Sequence, residues 1–168
     1  AGRINGREGI EYRRAAFEDS EFEENSFDIV ICSLMLHYLA SYEEFLEKVH
    51  RWLKPQGILA YTVEHPVFTA EGKQDWYYDQ DGKPLHFPVD RYFLEGKREA
   101  VFLGEKVVKY HRTLTTYMET LSQKGFRLLH MAEPMPTEEM VSKIPGMADE
   151  LRRPMMLIVT AEKVRSEQ

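Results

Sequence analysis

The stretch FEENSFDIVICSLMLHYL, Phe22 to Leu39, decides the reading of this chain. An acidic, turn-prone lead-in meets Phe27-Asp28 and then a near-continuous aliphatic run that ends at Cys32-Ser33. A run of that kind reads as a strand covered on both faces, which places it in a parallel sheet flanked by helices. In an open α/β sheet, ligands bind beyond the carboxyl ends of the strands. Residues Ser33, Leu34, Met35 and His37 therefore become the first candidates for contact with a ligand.

The flanking sequence continues the pattern. Ser41 is a good helix N-cap, with Glu44 three residues on. Phe45, Leu46, Val49, Trp52 and Leu53 share one helical face, and Pro55 and Gly57 stop the helix. Ile58 to Val63 reads as a second buried strand, which completes a strand–helix–strand crossover. Upstream, Ile10 to Phe17 partly alternates and predicts a short strand.

Downstream, residues 68–110 are rich in aromatics and turn signals, and predict an inserted antiparallel lobe. Within it, Arg98–Phe102 and Lys106–Tyr110 form a hairpin closed at Gly104. A helix carrying Leu114, Tyr117, Met118 and Leu121 ends at Gly125. Strand-like Phe126–Met131, a short helix over Thr137–Ile144 and a last buried strand, Met155–Ala161, follow.

Composition bounds the function. The chain has 168 residues, 43% of them hydrophobic, and a formal charge of −6. That is one domain's worth of core, without the basic patches that nucleic acid or an anionic membrane selects. The acidic excess is ordinary for a soluble protein and names no partner. The one cysteine, Cys32, reads as a buried core thiol. With no disulfide possible within the chain, a cytoplasmic setting is expected. The histidines show no metal-ligand spacing and no Cys pair exists, so no metal is expected. Ser33 lacks a hydrolase elbow.

In this order of elements, the chain resembles the C-terminal part of a class I S-adenosylmethionine-dependent methyltransferase, of the type 11 small-molecule group. The resemblance rests on EDSEFEENSFDIVICSLMLHYL and on Leu53-Lys54-Pro55-Gln56-Gly57-Ile58-Leu59, which is close to the family's LKPGG-L phrase with Gln56 for a glycine. It implies a Rossmann-like, mostly parallel sheet with an antiparallel last strand. It also implies S-adenosyl-L-methionine as cofactor, held by Ala16, Phe17, Ser33, Leu34 and Met35. Leu34 and Met35 would wall the adenosine and sulfonium region. Where the family often has an aspartate for the adenine amine, this chain has Ala16, so Glu18, Asp19 or backbone groups would substitute.

On this resemblance His37 and His65 are the catalytic candidates, and His37, Glu64, His65 and Trp76 the substrate-side candidates. Each has a plainer reading. His37 fits a surface histidine at a helix start, and Trp76 fits a local core of the lobe. Asp28 fits a strand-entry aspartate bonded to backbone better than a catalytic group.

No Gly-X-Gly occurs in the sequence, so the glycine loop that holds the methionine part of the cofactor in this family is not encoded here. By the family's strand order 3-2-1-4-5-7-6, two strands would be missing between Ile10–Phe17 and Asp28–Cys32, a gap of about 14 Å. Omitted residues, a filling partner chain, or repacking of the N-terminal strand are the expected resolutions. If the chain is this short, homodimerisation or strand exchange through open edges is expected. Two rival readings remain: a non-catalytic fragment or degenerate relative acting by association, and a nucleotide-dependent oxidoreductase on a similar sheet.

Overall fold

The computed structural model describes residues 8–164. Its centre is a four-stranded sheet in the order β1-β2-β8-β7. The sheet comprises β1 (Phe27–Ser33), β2 (Leu53–Glu64), β7 (Phe126–Ala132) and β8 (Met156–Lys163). β1 and β2 are parallel, and β8 is antiparallel to both β2 and β7. β1, β2 and β7 therefore finish at one edge of the sheet, where β8 begins. This arrangement is the 4-5-7-6 half of the expected strand order.

Helix α1 (Tyr42–Trp52) joins β1 to β2. Ser41 caps it by accepting a bond from the Glu44 N–H at 3.1 Å, which satisfies one orphan donor of the first turn. Its buried stripe is Tyr42, Phe45, Leu46, Val49 and Trp52. Helix α3 (Leu114–Gln123) is capped by Thr113 and packs beside α1. Gly125 stops it at φ +80°, where an added Cβ would sit 3.0 Å from the His50 ring.

Together α1 and α3 cover one face of the sheet. Leu59, Tyr61, Val63, Leu157, Val159 and Ala161 point into that layer and are buried. Three tyrosines are stitched inside it, with the Tyr42 and Tyr61 hydroxyls 2.9 Å apart and Tyr42 donating to the Tyr117 carbonyl at 3.4 Å. A buried hydroxyl without a partner costs stability, so the pairing of the Tyr42 and Tyr61 hydroxyls lets aromatic bulk fill the core. Cys32 is buried there, and burial pushes its thiol up to about 11. The core-thiol reading holds.

The structure corrects the sequence reading at several points. β1 is covered on one face only: Ile29 and Ile31 are exposed on the other. Every position in the run is apolar, so alternation could not reveal which face a helix covers.

Residues Ile10–Phe17 form no strand; they carry no regular structure and are exposed, with only Phe17 half-buried. A strand needs a neighbour to take its backbone hydrogen bonds, and among the described residues none lies beside it. The segment instead docks on α1. The Phe17 ring lies 5.1 Å from Phe45 and 5.6 Å from Trp52, and Lys48 donates to the carbonyls of Glu18 and Ser20.

The second strand begins at Leu53 rather than Ile58. Pro55-Gln56-Gly57 runs within it, past an irregular register between Phe27 and Ile29. Gly57 is required there, because a Cβ would meet the Lys54 carbonyl at 2.8 Å and the Asp28 carbonyl at 3.2 Å. Gln56 takes φ +67°, the left-handed region that the family's glycine enters freely. Asp28 bonds the Lys54 ammonium at 2.8 and 2.9 Å rather than backbone. It lies at the start of β1, the opposite edge from the candidate site.

Residues 68–110 contain two small ribbons. β3 (Tyr77–Tyr78) pairs with β4 (Pro84–His86), and β5 (Gly96–Phe102) pairs with β6 (Glu105–His111). The second hairpin turns on Leu103-Gly104, both at positive φ, as a two-residue primed turn demands. Two short helices, α2 (Pro66–Thr69) and α4 (Glu138–Lys143), complete the chain. No helix among the described residues is long and apolar enough to cross a membrane.

Candidate functional site

The candidate site is built where β1, β2 and β7 end. β1 stops at Ser33, and Leu34 turns the chain with φ +51°. A bulky residue in the left-handed region is strained unless its surroundings hold it there. Thr62 of β2 does so. Its carbonyl and hydroxyl both accept the Leu34 N–H, at 3.0 and 3.1 Å. Ser33 and Leu34 stay exposed and Met35 half-buried. This end therefore offers an exposed hydroxyl, 3.4 Å from that of Thr62, and an apolar wall, while Ser33–Ala40 carries no acidic side chain.

A single buried cation fixes the loop that follows. Arg112 donates to the carbonyls of Leu36 at 3.3 Å, Leu39 at 2.6 Å and Ala40 at 2.9 Å. Phe17, Leu39, Ala40 and Lys48 border a small cavity of about 150 Å³ beside this loop. Ala16, next to Phe17, is exposed. Phe17 and the loop after β1 thus share a cavity; Ser33–Met35 lie earlier along the same turn.

His37 is neither at a rim nor on the surface: it is 2% exposed. The Glu64 backbone N–H donates to its Nδ1 at 3.4 Å, and its Nε2 lies 3.9 Å from the Glu64 carboxylate. The Nδ1 lone pair is therefore taken, the neutral ring carries its proton at Nε2, and His37 is poorly placed to act as a base. Burial lowers its pKa from 6.5 to about 4, with Glu64 opposing and Lys109 reinforcing that shift.

The folded pKa is depressed, so the unfolded chain binds more protons between pH 6.5 and 4. Stability from the neutral ring is full above pH 6.5 and is lost as pH falls through that window, by about 3 kcal/mol in all. Urea titrations of wild type and His37→Gln between pH 7 and 4 check it: the difference between them should shrink as pH falls.

Glu64, at the end of β2, is buried in an ionic cluster. Its carboxylate accepts from Lys109 Nζ at 2.6 Å and from Gln74 Nε2 at 2.7 Å, while Lys109 also donates to the Gln74 side-chain oxygen at 2.7 Å. Lys109 lies over the Tyr38 and Phe102 rings. Glu64 is thus committed to holding the β5–β6 hairpin against the sheet, rather than standing free for substrate.

His65 caps α2, its Nδ1 accepting from the Val67 N–H at 3.1 Å. It is 4% exposed, and burial lowers its pKa against the pull of Glu133. The Glu133 carboxylate, just beyond β7, lies 2.8 Å from Nε2 but off the alignment of a good hydrogen bond. Trp76 sits apart, edge-on to Phe87 and under the guanidinium groups of Arg152 and Arg153. Arg153 also covers Phe68 and Phe87. Trp76 is half-buried in this cluster and, with Phe87, Arg152 and Arg153, lines a cavity of about 240 Å³.

The structure thus joins His37 to Glu64, sets His65 with Glu133, and leaves Trp76 in its own cluster. Sequence reasoning missed Lys109, Arg112, Gln74 and Glu133. For Lys109 one signal existed. In Glu105–His111 it falls at an inward position of an alternating strand, where a lysine is out of place unless paired.

The profile of a methyltransferase domain family matches residues 1–61. A solved structure from Listeria monocytogenes, assigned to the S-adenosylmethionine-dependent methyltransferases, is 47% identical. The match covers 97% of this chain and 73% of that one, with a TM-score of 0.91. An S-adenosylmethionine-dependent methyltransferase from Mesorhizobium loti is 36% identical over 95% of this chain and 73% of its own, with a TM-score of 0.85. An uncharacterized protein of Haemophilus influenzae is 28% identical over 97% of this chain, which spans 64% of that relative's length.

Proposed function

The chain belongs to the S-adenosylmethionine-dependent methyltransferases, and from that membership we propose that its protein transfers a methyl group to a small-molecule acceptor. The bound cofactor would supply an electrophilic methyl group on a sulfonium. What the chain's own residues contribute is placement and exclusion of water, which carry much of the catalysis of such a displacement.

In this reading Ser33, Leu34 and Met35, with Ala16 and Phe17, hold the nucleoside side of the cofactor. The observation that carries the reading is the Leu34 turn: a strained, exposed, apolar corner at the carboxyl end of β1, clamped by Thr62. His37, Glu64 and Lys109 act behind that corner as a positioning cluster. The lobe over residues 68–110 and the segment after Met131 shape the acceptor side. A cytoplasmic setting is part of the proposal.

Ultraviolet cross-linking with methyl-tritiated S-adenosylmethionine tests the assignment. Label is expected in the peptides carrying Phe17 and Ser33–Ala40. Label confined to residues beyond Gly125 would overturn it.

A further inference from the structure

The cavity of about 240 Å³ lies where the 68–110 lobe meets the turn that enters β8. Trp76, Phe87 and Val89 wall it from the lobe, Arg152 and Arg153 from the turn. Val67 of α2, just beyond the end of β2, closes another side. The cavity therefore sits at the edge of the sheet where β1 and β2 finish, the edge at which open α/β sheets bind ligands. Its volume is below the roughly 300–1,000 Å³ of drug-sized pockets, so it suits a molecule with a single ring. The Trp76 and Phe87 rings meet at 80° with centroids 5.5 Å apart. A third ring in that corner finds both a face and an edge to pack on.

The ionisable residues of this wall are Arg152, Arg153 and His86, with no acidic side chain beside them in it among the described residues. Arg152 is engaged by the fold. It donates to the Pro84 carbonyl at 3.0 Å, to Asp149 at 2.8 Å and to the Leu85 carbonyl, which ties β4 to the turn before β8. Arg153 is different. Its side chain is 6% exposed, and Nη2 donates to Glu150 Oε1 at 3.1 Å. Its Nη1 lies 3.0 Å from Glu150 Oε2 without the alignment of a hydrogen bond, and its buried Nε has no hydrogen-bond partner. Glu150 itself belongs to the wall of another cavity, beside Met147 and Met155. A buried donor without an acceptor is costly, and one in a native structure calls for an explanation. Burial also draws the Arg153 pKa down against the pull of Glu150, so its charge is incompletely compensated. An anion with hydrogen-bond acceptors, entering from the cavity, relieves both.

We propose that this cavity binds a single-ring aromatic carboxylate, its ring in the corner of Trp76 and Phe87 and its carboxylate accepting from the Arg153 donors that Glu150 leaves open. The proposal deepens the methyltransfer reading and rests on it for one point, that the ligand is the methyl acceptor; the binding itself does not depend on it.

Benzoate, benzamide and acetate test this by ligand-detected NMR titration of the full-length protein at pH 7. Benzamide keeps the ring without the charge, and acetate the charge without the ring. Wild type is expected to bind benzoate about tenfold more tightly than benzamide, the worth of a hydrogen bond between charged groups, and more tightly than acetate. Glu150→Gln removes the competing carboxylate and should tighten benzoate several-fold. Val89 is exposed, so Val89→Asp places a carboxylate in the wall without burying it. It should weaken benzoate about tenfold by repulsion and leave benzamide unchanged. Glu150→Leu with Arg153→Met removes the ion pair whole, which leaves no buried charge unpaired, and should bring benzoate and benzamide together. Failure of wild type to prefer benzoate over both other probes, or a preference that survives the double variant, overturns the proposal. S-adenosylhomocysteine, titrated in parallel, separates the two readings. Its failure to bind beside intact benzoate binding rejects methyl transfer and leaves the cavity assignment standing.

Discussion

Lys109→Met alone is expected to destabilise the protein by about 3–5 kcal/mol, the cost of leaving one charge of a buried pair without its partner. Lys109 is 2% exposed and Glu64 7%, so water cannot readily replace the missing ammonium. Glu64→Leu should cost a similar amount, leaving the ammonium buried among Tyr38, Phe102 and Gln74. The double variant Glu64→Leu with Lys109→Met is the decisive member of the set. A buried ion pair exchanged whole for apolar side chains is often neutral, so most of the stability should return. A coupling of several kcal/mol, measured from urea midpoints at constant slope, identifies the pair as a unit. Additive losses would mean that each residue is held by something else. The pair also links β2 to β6, so the single variants should loosen the β5–β6 hairpin, which hydrogen exchange along 96–111 would report.

Arg112→Ala should be comparably damaging, at about 3–5 kcal/mol, by a different route. Its guanidinium serves three carbonyls of Leu36, Leu39 and Ala40. Each carbonyl left buried without a donor costs about 1–3 kcal/mol, with partial relief where water enters at the half-buried end. Arg112→Lys should recover only part of this, because an ammonium cannot span the three acceptors as the planar fork does. The loop it braces continues from the Leu34 corner, so cofactor affinity should fall along with stability. Guanidinium titrations give the first quantity and calorimetry below the unfolding range the second. If affinity holds while stability drops, the loop does not report on the site.

Much of the fold could be read from the residues because the signals were local. Ser41 announces a helix start and caps it as expected, and Thr113 and Thr137 cap α3 and α4 in the same way. Gly125 ends α3, and Gly104 closes the hairpin. The runs through Cys32 and through Ile58–Val63 give two parallel strands, and the capped helix between them gives the crossover.

The remainder depended on partners far away in sequence. Ile10–Phe17 has strand-like alternation, yet a strand exists only when another takes its hydrogen bonds. The apolar positions of β1 could not declare that Ile29 and Ile31 face outward. Lys109 and Arg112 look like any surface cations until β6 is placed, when one meets Glu64 and the other meets carbonyls more than 70 positions earlier. His37 and His65 stand out in the sequence because they follow strand ends. Their burial, which turns them from free bases into hydrogen-bonded scaffolding, is set by packing. Glu133 gave no signal at all; it is an ordinary acidic residue until β7 brings it beside His65.

The central claim is that the corner after β1 forms part of a site for S-adenosylmethionine. Calorimetric titration of the full-length protein with S-adenosylmethionine tests it most directly, with a Leu34→Asp variant beside it. The account predicts saturable heat and a rise in melting temperature for wild type, and a loss of at least tenfold in affinity for the variant, whose carboxylate replaces the apolar wall. No heat and no thermal shift at millimolar cofactor, or equal affinity for both proteins, would contradict it.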